Sequence, residues 1–377
     1  MSGRAARLTA LGLVLGSCHG ALAAQAAPPA RMVSPADPET ALRHADAAAI
    51  PLGLARHRFV EPRFGGIPVE LTLYASDADA ARAAARAAFA RIDALAAQMD
   101  DYALDPPSAL NRIAEAAPDA VPVAPELLVV LARAKALHRE THGAFDVTAK
   151  PFVQLWRVSQ RLGELPPPER LRRAADFVDI DALELDPSAG TARLARPGMW
   201  LDLGGIAKGY IGDEVVRLLR ARGVPICRYH AGGDMVFGES PPGLPGWPVH
   251  VPDLVLDQVP EGGEHATPTA LAFFAADSAA SVSGDVFRHA EIEGKRYAHV
   301  IDPRSGLGVT EQRITCVRGP RGIDTDPLAT AGLILAPGEW QRAIETVEGC
   351  RGVAARRAGD GATRSPPPTG ERPVAGR

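Results

Sequence analysis

Apolar residues recur along the chain with two periods, one typical of helices and one typical of strands. Within residues 78–99 the large apolar side chains fall at helical spacing, at Phe89, Ile92, Leu95 and Met99. This spacing predicts one long helix. In the segment VELTLYA, residues 69–75, apolar and polar residues alternate instead, which predicts a strand.

Start and stop signals predict three further helices. Residues 125–143 open with Pro125 and close with Gly143, as helices commonly do. Residues 205–223 also end at a glycine, and residues 326–336 form the last predicted helix. Short apolar runs between residues 226 and 317 predict a series of strands. The sequence therefore predicts one continuous region of mixed helices and strands, without internal repeats.

The N-terminus has the pattern of an export signal. Arg4 and Arg7 precede the apolar run of residues 8–16, which is too short for a membrane span of ~20 residues. Two cleavage sites are compatible with it. The segment LGSC resembles a bacterial lipobox in which Cys18 becomes the lipidated first residue, whereas ALAAQAA, residues 21–27, offers sites for ordinary signal peptidase. Either site places the mature protein on the periplasmic side of a bacterial membrane, lipid-anchored in the first case and soluble in the second.

Composition shifts suggest the domain boundaries. We expect a signal over residues 1–23, a flexible tether over residues 24–57, a folded domain over residues 58–355, and a disordered tail over residues 356–377. The tether and tail are rich in Ala, Pro, Gly or Arg and show no periodicity.

Charge and cysteine content exclude several classes of protein. The net charge of -4 on 377 residues gives no sign of nucleic-acid binding. The three remaining cysteines, Cys227, Cys316 and Cys350, form neither a disulfide framework nor a zinc motif. The pair His138 and His142 has the i, i+4 spacing of a helical zinc pair, but no third ligand is evident.

Two glycine pairs and one acidic segment are candidates for ligand binding. LDLGGIAKGY, residues 201–210, predicts a strand, a tight turn and a helix start, where free backbone N–H groups bind phosphate. HAGGD, residues 230–234, adds a second glycine pair. In TDPLAT, Asp326 before Pro327 has the pattern of a helix N-cap. Thr330 lies one turn further on the same face, so the pair is also a candidate Mg²⁺ site.

The segment YAHVIDPRSG, residues 297–306, places His299 and Asp302 just ahead of a turn. Taken alone, it is a strand end followed by a loop. Together with six other segments in order, however, it resembles the ApbE family, the FAD:protein FMN transferases, over roughly residues 64–353. The other six segments are MDDYALDPPSALNRI, GAFDVTAKPFVQLW, DLGGIAKGY, AGGD, SVSGD and DPLAT. The chain departs from the family at residues 64–66, Phe-Gly-Gly in place of Met-Gly-Thr, and at MDDY.

The resemblance implies a fold, a reaction and a site. The fold is a single large α+β domain of the ApbE, T-fold-like type, with mixed helices and antiparallel sheet. The reaction cleaves FAD and joins FMN to a Thr or Ser of another protein, releasing AMP. Asp326, Thr330 and the carbonyl of Ala207 would hold Mg²⁺, and His299 would be the general base. Asp302 would either orient that imidazole or bind the flavin. The residues implied near FAD are Tyr102, Ala144, Phe145, Asp146, Gly204, Lys208, Ser283 and Asp285.

Partners and alternatives follow from the same resemblance. The expected acceptors are periplasmic loops of respiratory flavoproteins, with the motif Asp-Gly-x-[ST]-Gly-Ala-[ST]. Two other functions fit the same residues. One is a Mg²⁺-dependent FAD pyrophosphatase that uses water in place of the acceptor, and the other is a non-catalytic FAD-binding lipoprotein.

Overall fold

The computed structural model describes residue 34 and residues 37–103, 105–251, 271–284 and 289–356. In chain order its helices are α1 (Pro38–Ala49), α2 (Ala78–Met99), α3 (Ala109–Glu115), α4 (Pro125–Glu140), α5 (Lys150–Leu162), α6 (Pro168–Ala175), α7 (Ala207–Ala221), α8 (Gly322–Ala331) and α9 (Pro337–Glu345). The strands are β1 (Ala55–Arg63), β2 (Ile67–Ala75), β3 (Val121–Pro122), β4 (Leu183–Asp186), β5 (Thr191–Leu194), β6 (Cys227–Ala231), β7 (Asp234–Phe237), β8 (Trp247–Val251), β9 (Leu271–Ala275), β10 (Ser278–Gly284), β11 (His289–Ile292), β12 (Lys295–Ala298), β13 (Ile301–Asp302), β14 (Leu307–Gly308), β15 (Arg313–Gly319) and β16 (Arg351–Arg356).

Seven strands form an antiparallel sheet in the order β1-β2-β6-β7-β10-β15-β16. Successive side chains of a strand point to opposite faces of the sheet, and apolar residues on both faces are covered by other elements. Leu71 and Leu73 of β2 lie in the larger hydrophobic core, and Tyr74 lies in a second apolar cluster. In β15, Val317 likewise lies in the larger core, and the adjacent Cys316 lies in the second apolar cluster. The expected antiparallel sheet with mixed helices is confirmed.

The larger core lies between the sheet and a layer of helices that includes α2 and α7. The helix predicted over residues 78–99 has the same bounds as α2, and its four large apolar side chains are buried. Asp77 caps it by accepting hydrogen bonds from the backbone N–H groups of Asp79 and Ala80 at 2.9 and 2.8 Å. The second apolar cluster takes residues from α1 and from the β8–β9 hairpin.

The prediction of a flexible tether over residues 24–57 is wrong for residues 38–49, which form α1. Leu42, Ala45 and two further alanines of this helix are buried in the second apolar cluster. Alanine is the best helix former, so an alanine-rich segment without large apolar side chains still forms a helix when a neighbouring surface receives it. The strand β1 also begins at Ala55, before the predicted domain boundary. The signal, Cys18, residues 24–33 and residues 357–377 lie outside the described residues.

The histidine pair considered for zinc does not share a helical face. Helix α4 ends at Glu140, and His142 follows it with a positive φ of 50°. His142 is exposed, whereas His138 stays on the helix. Cys227 and Cys316 are free and buried in β6 and β15, as expected of thiols in apolar strands, and Cys350, just before β16, is also free and buried. Within the described residues, no helix has the length and apolar character needed to cross a membrane.

Candidate active site

A cavity of about 1280 Å³ opens between the strands of the central sheet and the helices α7 and α8. Pockets for drug-sized ligands measure about 300–1,000 Å³, so this one has room for a larger molecule. It brings together most of the residues singled out from the sequence: Tyr102, Ala144, Phe145, Asp146, Gly204, Ala207, Lys208, Ser283, His299, Asp326 and Thr330. Asp302 is not among the lining residues, and Asp285 lies outside the described residues.

One end of the cavity holds a lysine ammonium between two buried carboxylates. The Nζ atom of Lys208 lies 3.1 Å from Asp234 Oδ2 and 3.4 Å from Asp326 Oδ2, and it donates to the Gly204 carbonyl at 2.9 Å. Burial lowers the pKa of Lys208, but the two carboxylates outweigh this effect and the net pKa is raised. Burial raises the pKa of Asp326, and the charge of Asp234 raises it further, while Lys208 opposes both. A cation is therefore already held at this end.

Asp326 and Thr330 reach the cavity from consecutive turns of α8. This helix begins at Gly322 with Arg321 as its N-cap, so Asp326 lies mid-helix and Pro327 is an interior proline. The predicted N-cap role of Asp326 is therefore wrong. Its carboxylate instead accepts a hydrogen bond from the backbone N–H of Gly209 on α7 at 3.2 Å.

The glycine-rich turn before α7 lies against the same end of the cavity. A Cβ atom on Gly205 would lie 3.2 Å from the Phe145 ring and 3.5 Å from Thr330 Oγ1, so glycine permits this close approach. The backbone N–H of Gly204 donates to Asp202 Oδ1 at 2.8 Å. The helix predicted over residues 205–223 is α7, which begins two residues later, at Ala207, and residues 201–203 do not form a strand.

Aromatic and cationic side chains surround the rim. Tyr102 is 64% exposed, and its ring centroid lies 5.0 Å from Lys150 Nζ and 4.8 Å from Arg157 Cζ. Lys150 is buried and forms an ion pair with Asp101. Cations at this distance from a ring are attracted to its face, so they limit the motion of an otherwise exposed aromatic side chain.

The carboxylate of Asp146 is fixed from two sides. Its Oδ1 accepts hydrogen bonds from the backbone N–H and the hydroxyl of Thr148 at 2.7 and 2.6 Å. Its Oδ2 lies 3.2 Å from Nδ1 of His138 on α4. The GAFDVT segment therefore presents Ala144, Phe145 and Asp146 to the cavity from a well-ordered turn.

His299 lies between β12 and β13, in a segment that is tied down on both sides. Ala298 donates to the carbonyl of Val309 at 2.7 Å, and Val309 donates to the carbonyl of Val300 at 3.0 Å. The carbonyl of Ala298 also accepts from Trp156 Nε1 at 3.1 Å. The backbone that carries the imidazole is thereby held against the rest of the domain.

The chain matches known proteins in sequence and in fold. The sequence model of the ApbE family matches residues 66–354. The chain belongs to the ApbE family. The FAD:protein FMN transferase of Treponema pallidum is 32% identical over 255 residues, which cover 64% of this chain and 67% of the relative. The FAD:protein FMN transferase of Haemophilus influenzae is 30% identical over 234 residues, which cover 60% of this chain and 64% of the relative. The alignments thus span about two thirds of the length of these relatives.

Two solved ApbE structures share the fold. The apo flavinyl transferase ApbE of Pseudomonas stutzeri superimposes with a TM-score of 0.66 at 21% identity, covering 80% of this chain and 95% of that one. The flavin transferase ApbE of Vibrio cholerae superimposes with a TM-score of 0.67 at 22% identity, covering 80% of this chain and 97% of that one. The expected ApbE-type fold is therefore confirmed.

Within this ApbE-family cavity, Asp302 has a different environment from the one expected. Both oxygens of its carboxylate bind the guanidinium of Arg304 at 2.9 and 2.8 Å, and one also accepts the backbone N–H of Arg304. This fork-to-fork pair stabilises the Pro-Arg-Ser-Gly turn. The carboxylate of Asp302 thus binds Arg304, and the two roles that the resemblance implies for it, orienting the imidazole or binding flavin, stay predictions.

Sequence reasoning missed three residues at or near the ApbE-family site. Asp234, the acid of the AGGD segment, binds Lys208. Its position directly after a glycine pair is the feature of the sequence that could have identified it as a site residue. His230 lines the cavity, its Nε2 lies 2.8 Å from the Gly232 carbonyl, and burial lowers its pKa. Asp213 of α7 reaches the start of α8, and burial raises its pKa to about 7 although two backbone N–H groups oppose this effect. Spacing along α7 gives no sign of that contact.

Proposed function

We propose that this ApbE-family protein transfers FMN from FAD to a Thr or Ser hydroxyl of an acceptor protein, with release of AMP and with Mg²⁺ as cofactor. The observation that carries the proposal is that one cavity contains His299 together with the cluster of Lys208, Asp234 and Asp326. The cavity thus combines a proton acceptor with charged groups suited to a metal-bound pyrophosphate. The names of the two curated relatives support the same activity.

The residues proposed for Mg²⁺ have the donor chemistry that this ion requires. Asp326 supplies a carboxylate, Thr330 a hydroxyl and Ala207 a backbone carbonyl, and all three residues line the cavity. The ammonium of Lys208, 3.4 Å from Asp326, supports a preference for cations here. Within the described residues, no three His, Cys, Asp or Glu side chains are grouped to hold a metal. Held by these residues, Mg²⁺ would supply charge neutralisation to the pyrophosphate.

His299 is the proposed general base. The acceptor hydroxyl gives its proton to the imidazole, and its oxygen forms a bond to the phosphorus of the FMN half. The bond between that phosphorus and the bridging oxygen breaks, so AMP leaves with the bridging oxygen. An imidazole accepts a proton near neutral pH, and the fixed backbone around Ala298 and Val300 holds it in place.

The other cavity residues are proposed to bind FAD. Phe64, Met99 and Phe145 give one part of the lining an apolar character suited to a flavin ring. The further proposed contacts, as implied by the family resemblance, are Tyr102, Ala144, Asp146, Gly204, Lys208, Ser283 and Asp285. Lys208 would carry the positive charge nearest the pyrophosphate.

The proposed location is the periplasmic side of a bacterial membrane, through a lipid anchor at Cys18. The support is the pair Arg4 and Arg7, the short apolar run after them, and the LGSC segment. The proposed acceptors are periplasmic loops of respiratory flavoproteins.

Nucleotide analysis with and without an acceptor peptide separates this function from its two alternatives. The protein is incubated with FAD and Mg²⁺, and FAD, FMN and AMP are quantified by chromatography. A transferase releases AMP without an equal amount of free FMN, and only when the Asp-Gly-x-[ST]-Gly-Ala-[ST] peptide is present. Equal FMN and AMP without peptide would identify a pyrophosphatase, and bound, intact FAD in both arms would identify a carrier.

A further inference from the structure

Helix α8, which carries Asp326 and Thr330, is a poor helix by sequence. It contains Gly322 and the interior Pro327, and its N-cap Arg321 makes no side-chain capping bond. Glycine costs about 1 kcal/mol and proline about 3 kcal/mol in a helix interior relative to alanine. The helix is almost entirely buried, so its position must be set by contacts with other elements.

Asp213 on α7 makes the first of these contacts. Its Oδ1 accepts the backbone N–H of Gly322 at 2.6 Å, and its Oδ2 accepts the backbone N–H of Ile323 at 3.0 Å. These are N–H groups of the first turn of α8, which have no partner within a helix. A carboxylate from another helix therefore takes the place of the missing N-cap, and its charge suits the positive end of the helix.

The same two helices touch through their backbones near this cap. A Cβ atom on Gly209 would lie 2.1 Å from the Gly322 carbonyl oxygen, and a Cβ on Gly322 would lie 2.3 Å from the Gly209 carbonyl oxygen. Glycine at both positions permits a contact that no side chain would allow. The N–H of Gly209 also donates to Asp326. Helix α8 is thus held against α7 at its first residue and again one turn later.

The opposite end of α8 is held by a second buried charge. Arg313 of β15 donates through Nη1 to the carbonyls of Gly332 and Leu335 at 2.9 and 2.7 Å. A cation at the C-terminal end complements the helix dipole as the carboxylate does at the N-terminal end. Both ends of this short helix therefore depend on polar side chains from neighbouring elements.

We propose that Asp213 is a positioning residue for the cation site. It caps α8 from α7 and thereby sets the spacing between the Ala207 carbonyl on one helix and Asp326 and Thr330 on the other. This inference rests on the proposed function, because it concerns the Mg²⁺ site proposed there. Residues that orient metal ligands without touching the metal typically affect metal affinity about 10–100-fold.

The test measures binding of Mn²⁺ alone, as a spectroscopic probe for Mg²⁺, by electron paramagnetic resonance of the free ion. The variants are Asp213→Ala, which removes both acceptors, and Asp213→Asn, which keeps one. The matched control is Asp77→Ala, because Asp77 caps α2 through two backbone N–H groups far along the chain from α8. Thermal unfolding and hydrogen exchange of residues 322–331 are measured on the same samples.

We expect Asp213→Ala to weaken Mn²⁺ binding about 10–100-fold and to increase exchange in α8, with Asp213→Asn intermediate and Asp77→Ala unchanged. If Asp213→Ala does not fold, the asparagine variant carries the test through its partial loss. Unchanged Mn²⁺ affinity in folded Asp213 variants, with only a lower melting temperature, would overturn the inference and leave the proposed function intact. A wild-type protein that does not bind Mn²⁺ would overturn the proposed cation site and this inference with it.

Discussion

The substitution Asp326→Asn tests whether this buried carboxylate serves a cation or the fold. Asparagine keeps an oxygen that can accept the backbone N–H of Gly209, which Asp326 binds at 3.2 Å. Lys208 keeps its shorter contact of 3.1 Å with Asp234, so its ammonium is not left unpaired. The substitution therefore removes one buried charge without leaving an unsatisfied polar group.

The two effects of this substitution have opposite signs. Removing one partner of a buried ion pair is strongly destabilising when the other charge is left uncompensated, but here Lys208 stays paired with Asp234. Burial already raises the pKa of Asp326, which means that the ionised form is disfavoured in the fold. Because one pKa unit corresponds to about 1.4 kcal/mol, we expect the free energy of unfolding of the metal-free protein to rise by about 1–2 kcal/mol. Saturating Mg²⁺ at 100 times its Kd should add about 2.7 kcal/mol to the wild type and nothing to the variant.

Urea unfolding at pH 8, with and without Mg²⁺, measures both quantities on the same samples. The control is Asp277→Asn, which removes a carboxylate that is 60% exposed and pairs with Arg220 at the surface. We expect it to leave the Mg²⁺ response unchanged. An Asp326→Asn protein that is less stable than wild type without Mg²⁺, yet gains the same stability when Mg²⁺ is added, would show that Asp326 serves the fold and not a cation.

Three further predictions concern the base, the sheet and the anchor. His299→Ala should keep FAD affinity and melting temperature while single-turnover transfer falls about 10²–10⁴-fold, and near-normal turnover would remove His299 from the mechanism. Burial raises the pKa of Glu70, but Arg58 and Arg228 outweigh this effect and lower the pKa to about 2. The ionised Glu70 therefore stabilises the folded protein above about pH 4.5, and this stabilisation is lost as the pH falls towards 2. Glu70→Gln should therefore lower the free energy of unfolding by about 1–2 kcal/mol at pH 7, after allowance for solvent screening, and leave it unchanged at pH 2. An equal loss of stability at both pH values would contradict this role of Glu70. Cys18→Ser should move the protein from the membrane to the soluble periplasmic fraction, unless the native protein is already soluble there.

Local patterns predicted the elements whose stability is largely local. The helix over residues 78–99 was predicted with its observed bounds because its large apolar side chains recur at helical spacing. Helix α1 was missed because its buried face consists of small residues whose burial depends on the second apolar cluster. An alanine-rich helix and an alanine-rich linker have the same composition, and only the neighbouring surface decides between them.

The candidate site divides in a similar way. The residues that line the cavity were found because the family resemblance connects segments that are distant along the chain. The cap role of Asp326 was predicted from Asp-Pro chemistry and is wrong. Helix α8 begins four residues earlier, at Gly322, whose backbone N–H donates to Asp213. That contact joins residues 109 positions apart, and no local pattern encodes it. The resemblance implied that Asp302 orients the imidazole of His299 or binds flavin, and in the structure its side chain binds Arg304.

The most direct test of the proposed transferase activity is the intact mass of an acceptor after incubation with this protein, FAD and Mg²⁺. The acceptor carries the Asp-Gly-x-[ST]-Gly-Ala-[ST] motif with Thr as its last residue, and its Thr→Val variant serves as the control. We expect a gain of one FMN moiety, bound as a phosphoester, on the threonine acceptor and none on the valine variant. An unmodified threonine acceptor, with FAD either intact or cleaved to free FMN and AMP, would contradict it.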